Sequence, residues 1–249
     1  NSKMLTRLCL TIMTKLGQNC DRLEFLLYTL TNIIRLLNMN YRLQNLIRLN
    51  ELAEQIHKQG LKVAVLLEGR DGAGKSGTIR DFTHYLPPYT YRVMNSFMPT
   101  KSLMANWLKG WSLLMPNKGE IVFYDRSHYS RALLQPIMNW CSQRQYENFM
   151  SKVIDWEVEQ DIIFIKLWLS ISKQEQDTRL NNREIDPLRY WKFSSNDRKS
   201  LSAFDKVTLH KEYMFTHCPQ WFTIDYNNKT IGRDSALETT ITELEKCLK

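Results

Sequence analysis

The sequence predicts an α/β fold in which helices flank a mostly parallel sheet of about five strands. Five short apolar runs without polar alternation indicate strands that are covered on both faces. Segments with helical periodicity separate these runs, and this alternation favours a parallel sheet with right-handed crossovers. The predicted strands are Val63 to Leu67, Tyr91 to Met94, Ile121 to Tyr124, Ile162 to Leu169, and Trp221 to Ile224.

Helices are predicted both between the strands and before them. Gly77 to Leu86 and Thr100 to Met115 separate the first three strands. In the first sixty residues, apolar positions at helical spacing predict three further helices, which cover Leu5 to Leu16, Leu23 to Leu37 and Leu43 to Ile56. This helical extension either packs against a core or a sister subunit, or lies on a membrane surface. Its polar faces hold few lysines, which favours packing.

Composition limits the classes of function. The 249 residues include 34 Lys and Arg against 26 Asp and Glu, a net charge of +8, which indicates an anionic partner such as nucleic acid, a phosphate-rich ligand or a membrane surface. Five scattered cysteines without a C-x-x-C pair argue against a disulfide scaffold or a zinc site and suggest a cytoplasmic location. No apolar run reaches the roughly 18 residues that indicate a membrane span.

A glycine-rich loop follows the first predicted strand. Gly69 to Ser76 matches G-x-x-x-x-G-K-[ST], and a predicted helix comes next. Glycines let several backbone N–H groups point at one phosphate, the helix start adds its positive dipole end, and the Lys75 ammonium neutralises phosphate charge. The alternative is a glycine-rich turn with an exposed lysine. The predicted phosphate-binding residues of the loop are Gly72, Ala73, Gly74, Lys75, Ser76 and Gly77.

Two aspartates are candidate metal ligands. Asp125 ends the predicted strand Ile121 to Tyr124, where the acidic residue of a phosphate-binding fold holds Mg²⁺. Asp71 lies inside the loop, where a carboxylate beside phosphate is unfavourable unless a cation or a proton separates them. Asp71 is therefore either a second metal ligand or a residue that caps the loop.

Cationic side chains follow the second of these aspartates and recur later. Arg126 and Arg131 come just after Asp125, and arginine binds phosphate oxygens with two hydrogen bonds. The stretch from Arg179 to Lys199 is also dense in cations. It is either a mobile lid that closes over phosphates or a pair of solvated helices with ordinary charges.

Three segments together resemble the second family of polyphosphate kinases. They are Glu68 to Ile79, Tyr124 to Arg131, and Asp186 to Asp197, and the resemblance extends from about Tyr41 to the C-terminus. The sequence departs from the family's pattern at His128, where many members have Trp, and at Ser130, where many have Asn.

The resemblance implies a three-layer P-loop kinase fold, similar to that of thymidylate kinase, with a helical lid at about 177–200. It places this domain at residues 41–249, after the helical extension of residues 1–40. It implies phosphoryl transfer between inorganic polyphosphate and nucleotides with Mg²⁺, or with Mn²⁺ in its place. The implied catalytic residues are Asp71, Lys75, Asp125, Arg126, Arg131 and Arg183, with Asp71 and Asp125 as metal ligands and Arg179 and Lys192 as further phosphate-binding residues.

The resemblance also sets expectations about partners. Inorganic polyphosphate replaces nucleic acid as the expected polyanion, and the second substrate is a purine nucleotide (AMP, ADP or GDP). A homo-oligomer, dimer or tetramer, is expected. The alternatives are an ATP-dependent nucleoside monophosphate kinase and a non-catalytic polyphosphate- or nucleotide-binding module.

Overall fold

The computed structural model describes residues 20–95, 99–185, 187 and 202–248. Contacts within the chain divide it into two compact units, Asn1–Gln44 and Asn45–Lys249. In the first unit, the described residues all belong to one helix. The sheet and the residues of the candidate site belong to the second. The division of the chain at residue 40 into an extension and a catalytic domain stays a prediction.

The second unit is built on a parallel sheet, which has five strands in the described residues. All four strand pairings are parallel, and the spatial order is β2-β3-β1-β4-β5. Each predicted strand is confirmed to within two residues at either end, so the α/β prediction is confirmed. The strands are β1 (Lys62–Gly69), β2 (Tyr91–Asn95), β3 (Glu120–Asp125), β4 (Ile163–Ser170) and β5 (Trp221–Asp225).

Helices precede, connect and follow these strands. They are α1 (Cys20–Gln59), α2 (Lys75–Thr83), α3 (Lys101–Ala105), α4 (Trp107–Ser112), α5 (Leu134–Ile137), α6 (Gln143–Met150), α7 (Val153–Glu159), α8 (Lys173–Ile185), α9 (Phe204–His217) and α10 (Lys229–Cys247), with a 3₁₀ helix at His128–Arg131.

Three of the predicted helices are wrong in their boundaries. The helices predicted at 23–37 and 43–56 form the single 40-residue helix α1, because the polar residues between them cost little in a helix and no Gly or Pro interrupts the segment. The helix predicted at 100–115 is two short helices, α3 and α4, because Asn106 between them has φ −124° and ψ 58°. The first predicted helix, at 5–16, lies outside the described residues.

The core lies on both faces of the sheet. Alternate residues of β1 point to opposite faces, so Val65 packs towards α1, α2 and α10, whereas Leu66 packs towards the aromatic residues of α4 and α7. Both side chains are fully buried, as are most residues of β1 and β3. The two clusters give the three layers that the resemblance implied. Among the described residues, no helix is both long and apolar enough to span a membrane.

Candidate active site

The glycine-rich loop lies at the carboxyl end of the central strand β1 and ends where α2 begins. Gly69 has φ +147°, and a Cβ atom on it would lie 2.6 Å from the carbonyl oxygen of Leu169 on the neighbouring strand. Gly74, with φ +114°, is the residue that precedes the first turn of α2. These two backbone conformations are ones that only glycine adopts without strain. The glycines therefore let the loop turn sharply between strand and helix.

Lys75 folds back over this loop. Its buried Nζ donates hydrogen bonds to the carbonyl oxygens of Gly69 and Arg70, both at 3.1 Å. Burial, followed by the positive charge of Arg126, lowers the pKa of Lys75 to about 8, although nearby carboxylates act in the opposite direction. An ammonium with this pKa is about nine tenths protonated at pH 7. The side chain thus keeps its positive charge at the loop.

The hydroxyl of Ser76 meets the carboxylate of Asp125. Ser76 Oγ donates to Asp125 Oδ2 at 2.5 Å, across 49 residues of sequence. The parallel pairing of β1 with β3 explains this contact, because it aligns Leu67 with Asp125 and brings the ends of both strands to one edge of the sheet. A hydroxyl and a carboxylate are ligands that Mg²⁺ accepts. The structure therefore brings together two of the predicted site residues.

Arg126 connects the loop to two carboxylates. Its Nη2 donates to Asp71 Oδ1 at 2.5 Å, and its Nη1 lies 4.0 Å from Glu68 Oε2. Burial alone would raise the pKa of Asp71, but the charges of Arg126 and Lys75 lower it below its usual value. Burial likewise opposes the charge of Arg126, yet Asp71 and Glu68 raise its pKa above the ordinary value. Asp71 and Arg126 are thus a charged pair at the loop.

Glu68 is a site residue to which sequence reasoning gave no role. It is fully buried at the end of β1, and its Oε1 accepts hydrogen bonds from the N–H (2.7 Å) and the hydroxyl (2.9 Å) of Ser127. Burial raises the pKa of Glu68, although the nearby Arg126 and Ser127 lower it. The available signal was a carboxylate inside an otherwise apolar run, just before the glycine-rich loop. Its contacts fix the segment after β3 that carries Arg126.

Arg131 lies deeper in the segment that follows β3. Arg131 Nη2 donates to the carbonyl oxygen of Met104 at 2.9 Å, and its guanidinium lies 4.6 Å from the centre of the Trp107 ring. The side chain is 1% exposed, and burial lowers its pKa. A phosphate contact for Arg131 stays a prediction.

The family departure at His128 is accommodated by a buried polar cluster. His128 Nε2 lies 3.1 Å from Glu157 Oε1, and Lys166 Nζ donates to Glu157 Oε2 at 2.5 Å. Burial lowers the pKa of His128 despite the opposite effect of Glu157. We infer a neutral imidazole at pH 7 beside an ionised Glu157, whose pKa lies below its usual value because its bonds to His128 and Lys166 outweigh burial.

The cationic residues predicted on the lid side differ in their contacts and in their burial. The Arg179 guanidinium bonds to backbone carbonyl oxygens of the loop instead of pointing to open space beside it. Arg183, one turn later on α8, is half-buried, and its charge contributes to the lowered pKa of Asp71. Lys192 lies outside the described residues. Roles for Arg183 and Lys192 at the site stay predictions, whereas Arg179 makes contacts that the sequence did not indicate.

Two surface clefts share Arg126 in their lining. The first is lined by Asp71, Trp168 and apolar residues around α5 and α9. The second is lined by several tryptophans, among them Trp107, together with Ser127. The Arg126 side chain, which is 12% exposed, thus borders both clefts.

The arrangement as a whole suits phosphate chemistry. The loop offers backbone N–H groups and the Lys75 ammonium, while Ser76 and Asp125 offer oxygen ligands for a cation. The described residues hold no group of three or more His, Cys, Asp or Glu that could bind a metal by themselves. Mg²⁺ at phosphate sites does not need such a group, because it is bound through one or two carboxylates together with substrate phosphates and water. The donor set therefore fits Mg²⁺.

Comparisons with known proteins point the same way. A relative from Ruegeria pomeroyi, "NDP-polyphosphate phosphotransferase 3", is 34% identical over 207 residues, which are 80% of this chain and 69% of the relative. The "GDP-polyphosphate phosphotransferase" of Pseudomonas aeruginosa is 36% identical over 195 residues, or 75% of this chain and 55% of the relative. The chain thus spans about half the length of the Pseudomonas protein.

A solved structure and a family model complete the comparison. The crystal structure of a putative polyphosphate kinase 2 from Pseudomonas aeruginosa matches with a TM-score of 0.78 and 26% identity, covering 84% of this chain and 47% of that one. The model of the family Polyphosphate kinase 2 (PPK2) matches residues 38–249. On this match, the chain belongs to the polyphosphate kinase 2 family.

Proposed function

We propose that this protein transfers phosphoryl groups between inorganic polyphosphate and a purine nucleotide, ADP, GDP or AMP, with Mg²⁺. The names of the relatives support the two substrate classes, since one is a GDP- and the other an NDP-polyphosphate phosphotransferase. The observation that carries the proposal is the contact of Ser76 with Asp125 beside Lys75. It unites the loop that would bind phosphate and the strand end that would hold the cation.

Ser76 and Asp125 would hold the Mg²⁺ ion, with Asp71 as a further candidate ligand. When bound, the ion supplies positive charge that offsets the charge of the reacting phosphates. Asp71 Oδ1 is already engaged by Arg126, so a metal contact would use Oδ2 or would exchange partners. Mn²⁺ also accepts carboxylate and water ligands, and it would suit the same donors.

The chain's own residues would carry the rest of the chemistry. The loop N–H groups and Lys75 bind the terminal phosphates of the polyphosphate, and Arg126 stabilises negative charge on the transferred group. A terminal phosphate oxygen of the nucleotide attacks the end phosphorus, a new P–O bond forms, and the bridging P–O bond breaks. The shortened polyphosphate departs with the electron pair. Positioning and charge neutralisation account for catalysis without a covalent enzyme intermediate.

The two clefts that share Arg126 in their lining support a two-substrate reaction. In-line transfer needs the acceptor and the donor on opposite sides of the transferred phosphorus. Because Arg126 borders both clefts, its guanidinium would contact a group transferred between substrates bound in them.

Purified protein with Mg²⁺, polyphosphate and AMP, ADP or GDP tests the proposal. We expect a new nucleoside di- or triphosphate with at least one acceptor and none with Lys75→Ala. Absence of product with every acceptor would overturn the proposal. Competition between donors separates the alternative activity, because faster transfer from ATP than from polyphosphate would identify a nucleoside monophosphate kinase.

Two further expectations from sequence remain proposals. A homo-oligomer predicts a mass in light scattering of two or four times 29.6 kDa. The cytoplasmic location, proposed from cysteine usage, is testable by fractionation of cells that express the protein.

A further inference from the structure

We infer that Arg179 is a positioning residue, which holds the glycine-rich loop by its backbone and does not itself contact phosphate. The inference concerns the site of the proposed function and rests on it for its kinetic test. The family resemblance implies that Arg179 binds phosphate. The structure gives its side chain a different set of partners.

Every nitrogen of the Arg179 guanidinium already has an acceptor. Nε donates to Glu175 Oε1 at 2.6 Å, one turn earlier on α8. Nη1 donates to the carbonyl oxygens of Gly72 and Ala73, both at 3.1 Å. Nη2 donates to the carbonyl oxygens of Tyr226 (2.5 Å) and Asn227 (3.2 Å). The guanidinium thus joins α8, the glycine-rich loop and the segment after β5.

The Arg179 guanidinium needs these contacts because it is buried. The side chain is only 5% exposed, and a buried guanidinium is costly unless its donors are paired. Turning the group towards a phosphate would leave carbonyl oxygens of two chain segments without their partner, and Glu175 without its opposite charge. A direct phosphate contact would therefore exchange one set of charge-assisted hydrogen bonds for another and gain little.

The bonds to the loop have a directional effect. In a planar trans peptide, the carbonyl group and the following N–H point in opposite directions. By holding the oxygen of Ala73, Arg179 turns the N–H of Gly74 to the other side of the loop, where α2 begins. Those first amides of the helix are the ones that bind phosphate in such loops. Arg179 would thus orient the amide that phosphate needs.

Tyr226 strengthens the same arrangement from the segment after β5. Its ring lies where a Cβ atom on Gly74 would make contact at 3.4 Å, and its hydroxyl lies 2.6 Å from Thr78 Oγ1 on α2. Tyr226 is fully buried, and its carbonyl oxygen accepts from Arg179. Tyr226 therefore supports the loop in two ways. Its side chain packs beside Gly74, and its carbonyl oxygen binds Arg179, which in turn binds the backbone of the loop.

The test compares Arg179→Lys and Arg179→Met with a matched control, Arg92→Met. Arg92 also joins a glutamate, Glu120, to backbone carbonyl oxygens, among them that of Met115, but on the edge strand β2. We expect both Arg179 variants to raise the polyphosphate KM by roughly tenfold to a hundredfold, with little change in nucleotide KM. The lysine variant fails because one ammonium cannot span the two chain segments. Arg92→Met is expected to lower the melting temperature without changing either KM.

Amide hydrogen exchange gives a readout that needs no substrate. Both Arg179 variants are expected to speed exchange in the peptide that covers residues 69–77, whereas Arg92→Met leaves it unchanged. Equal exchange in all variants would overturn the inference, as would an Arg179→Lys variant with the wild-type polyphosphate KM, which would identify a phosphate-contacting charge. If the wild type transfers nothing from polyphosphate, the proposed function fails, and the exchange result still decides the role of Arg179.

Discussion

Replacing Asp125 with Asn separates the catalytic from the structural role of the strand end beside the loop. Asparagine has nearly the same size as aspartate and keeps an oxygen that can accept the hydrogen bond of Ser76 Oγ, which lies 2.5 Å from Asp125 Oδ2. The change therefore removes a negative charge while it leaves the local packing in place. We expect a large loss of turnover with a small loss of stability.

The structure allows both magnitudes to be worked out. A hydrogen bond to a charged group contributes about 1.5–3 kcal/mol and a neutral one about 1 kcal/mol, so the net cost to folding is on the order of 1 kcal/mol. For a chain of this size, that lowers the melting temperature by roughly 2–4 °C. Removal of a charged metal ligand weakens both metal binding and the neutralisation of phosphate charge, for which we expect a loss of about a hundredfold or more in turnover.

The assay measures nucleoside triphosphate formation from polyphosphate over a range of Mg²⁺ concentrations, alongside thermal unfolding. Asp225→Asn is the matched control, because Asp225 also ends a strand of the sheet and accepts hydrogen bonds from Asn227 at 2.8 and 2.9 Å. The control is expected to keep most of its turnover. Parallel losses of activity and melting temperature in Asp125→Asn would refute the reasoning and indicate a structural role.

Three further predictions concern backbone, charge and pH. Gly69→Ala places a Cβ atom 2.6 Å from a carbonyl oxygen of β4 at φ +147°, and should cost roughly 2–4 kcal/mol in urea unfolding. Asp71→Asn weakens the pairing that orients Arg126, and should lower kcat by roughly tenfold or more and raise the Mg²⁺ concentration for half-maximal activity. Burial lowers the pKa of His128 even though Glu157 opposes it, so this histidine binds a proton at a higher pH in the unfolded chain than in the folded protein. Stability should therefore fall as pH drops below about 6.5, and His128→Phe should flatten this part of the profile in urea unfolding between about pH 7 and pH 5.

Specific outcomes would contradict each of these. A Gly69→Ala protein as stable as the wild type would mean that the loop relaxes at no cost. Unchanged kcat in Asp71→Asn would remove the carboxylate from the mechanism. A His128→Phe protein with the wild-type loss of stability between pH 7 and pH 5 would assign that loss to other groups, since the low pKa of Glu157 places its own titration at more acidic values.

The strands were predictable because burial on both faces requires apolar residues at successive positions, and such runs are visible in the sequence. A parallel strand covered on both faces reads as an unbroken apolar run, and all five runs became strands. The glycine-rich loop and Asp125 were predictable for a related reason, since the chemistry of a phosphate site restricts the residue types at fixed positions next to a strand. Family resemblance then reached the same loop and the same aspartates from whole motifs.

Other features depend on contacts that a sequence does not display. The continuity of α1 was missed because the apolar rhythm breaks between Leu37 and Leu43, although the backbone has no reason to stop there. Glu68 could be located but not assigned a role, because its partner Ser127 is 59 residues away. The contacts of Arg179 with the loop and with the segment after β5 were equally hidden, since those acceptors lie 47 and more residues away and belong to the backbone.

The bonds of Arg179 to main-chain oxygens affect which changes the protein can tolerate. Since every amino acid carries a carbonyl group, the residue type at Asn227 is of little consequence for its bond to Arg179. The number of residues between β5 and α10 does matter, because an insertion or a deletion there would move the acceptor out of reach. In a mutational library, this short connection should reject changes of length, even though it is more than 140 residues from the loop that it supports.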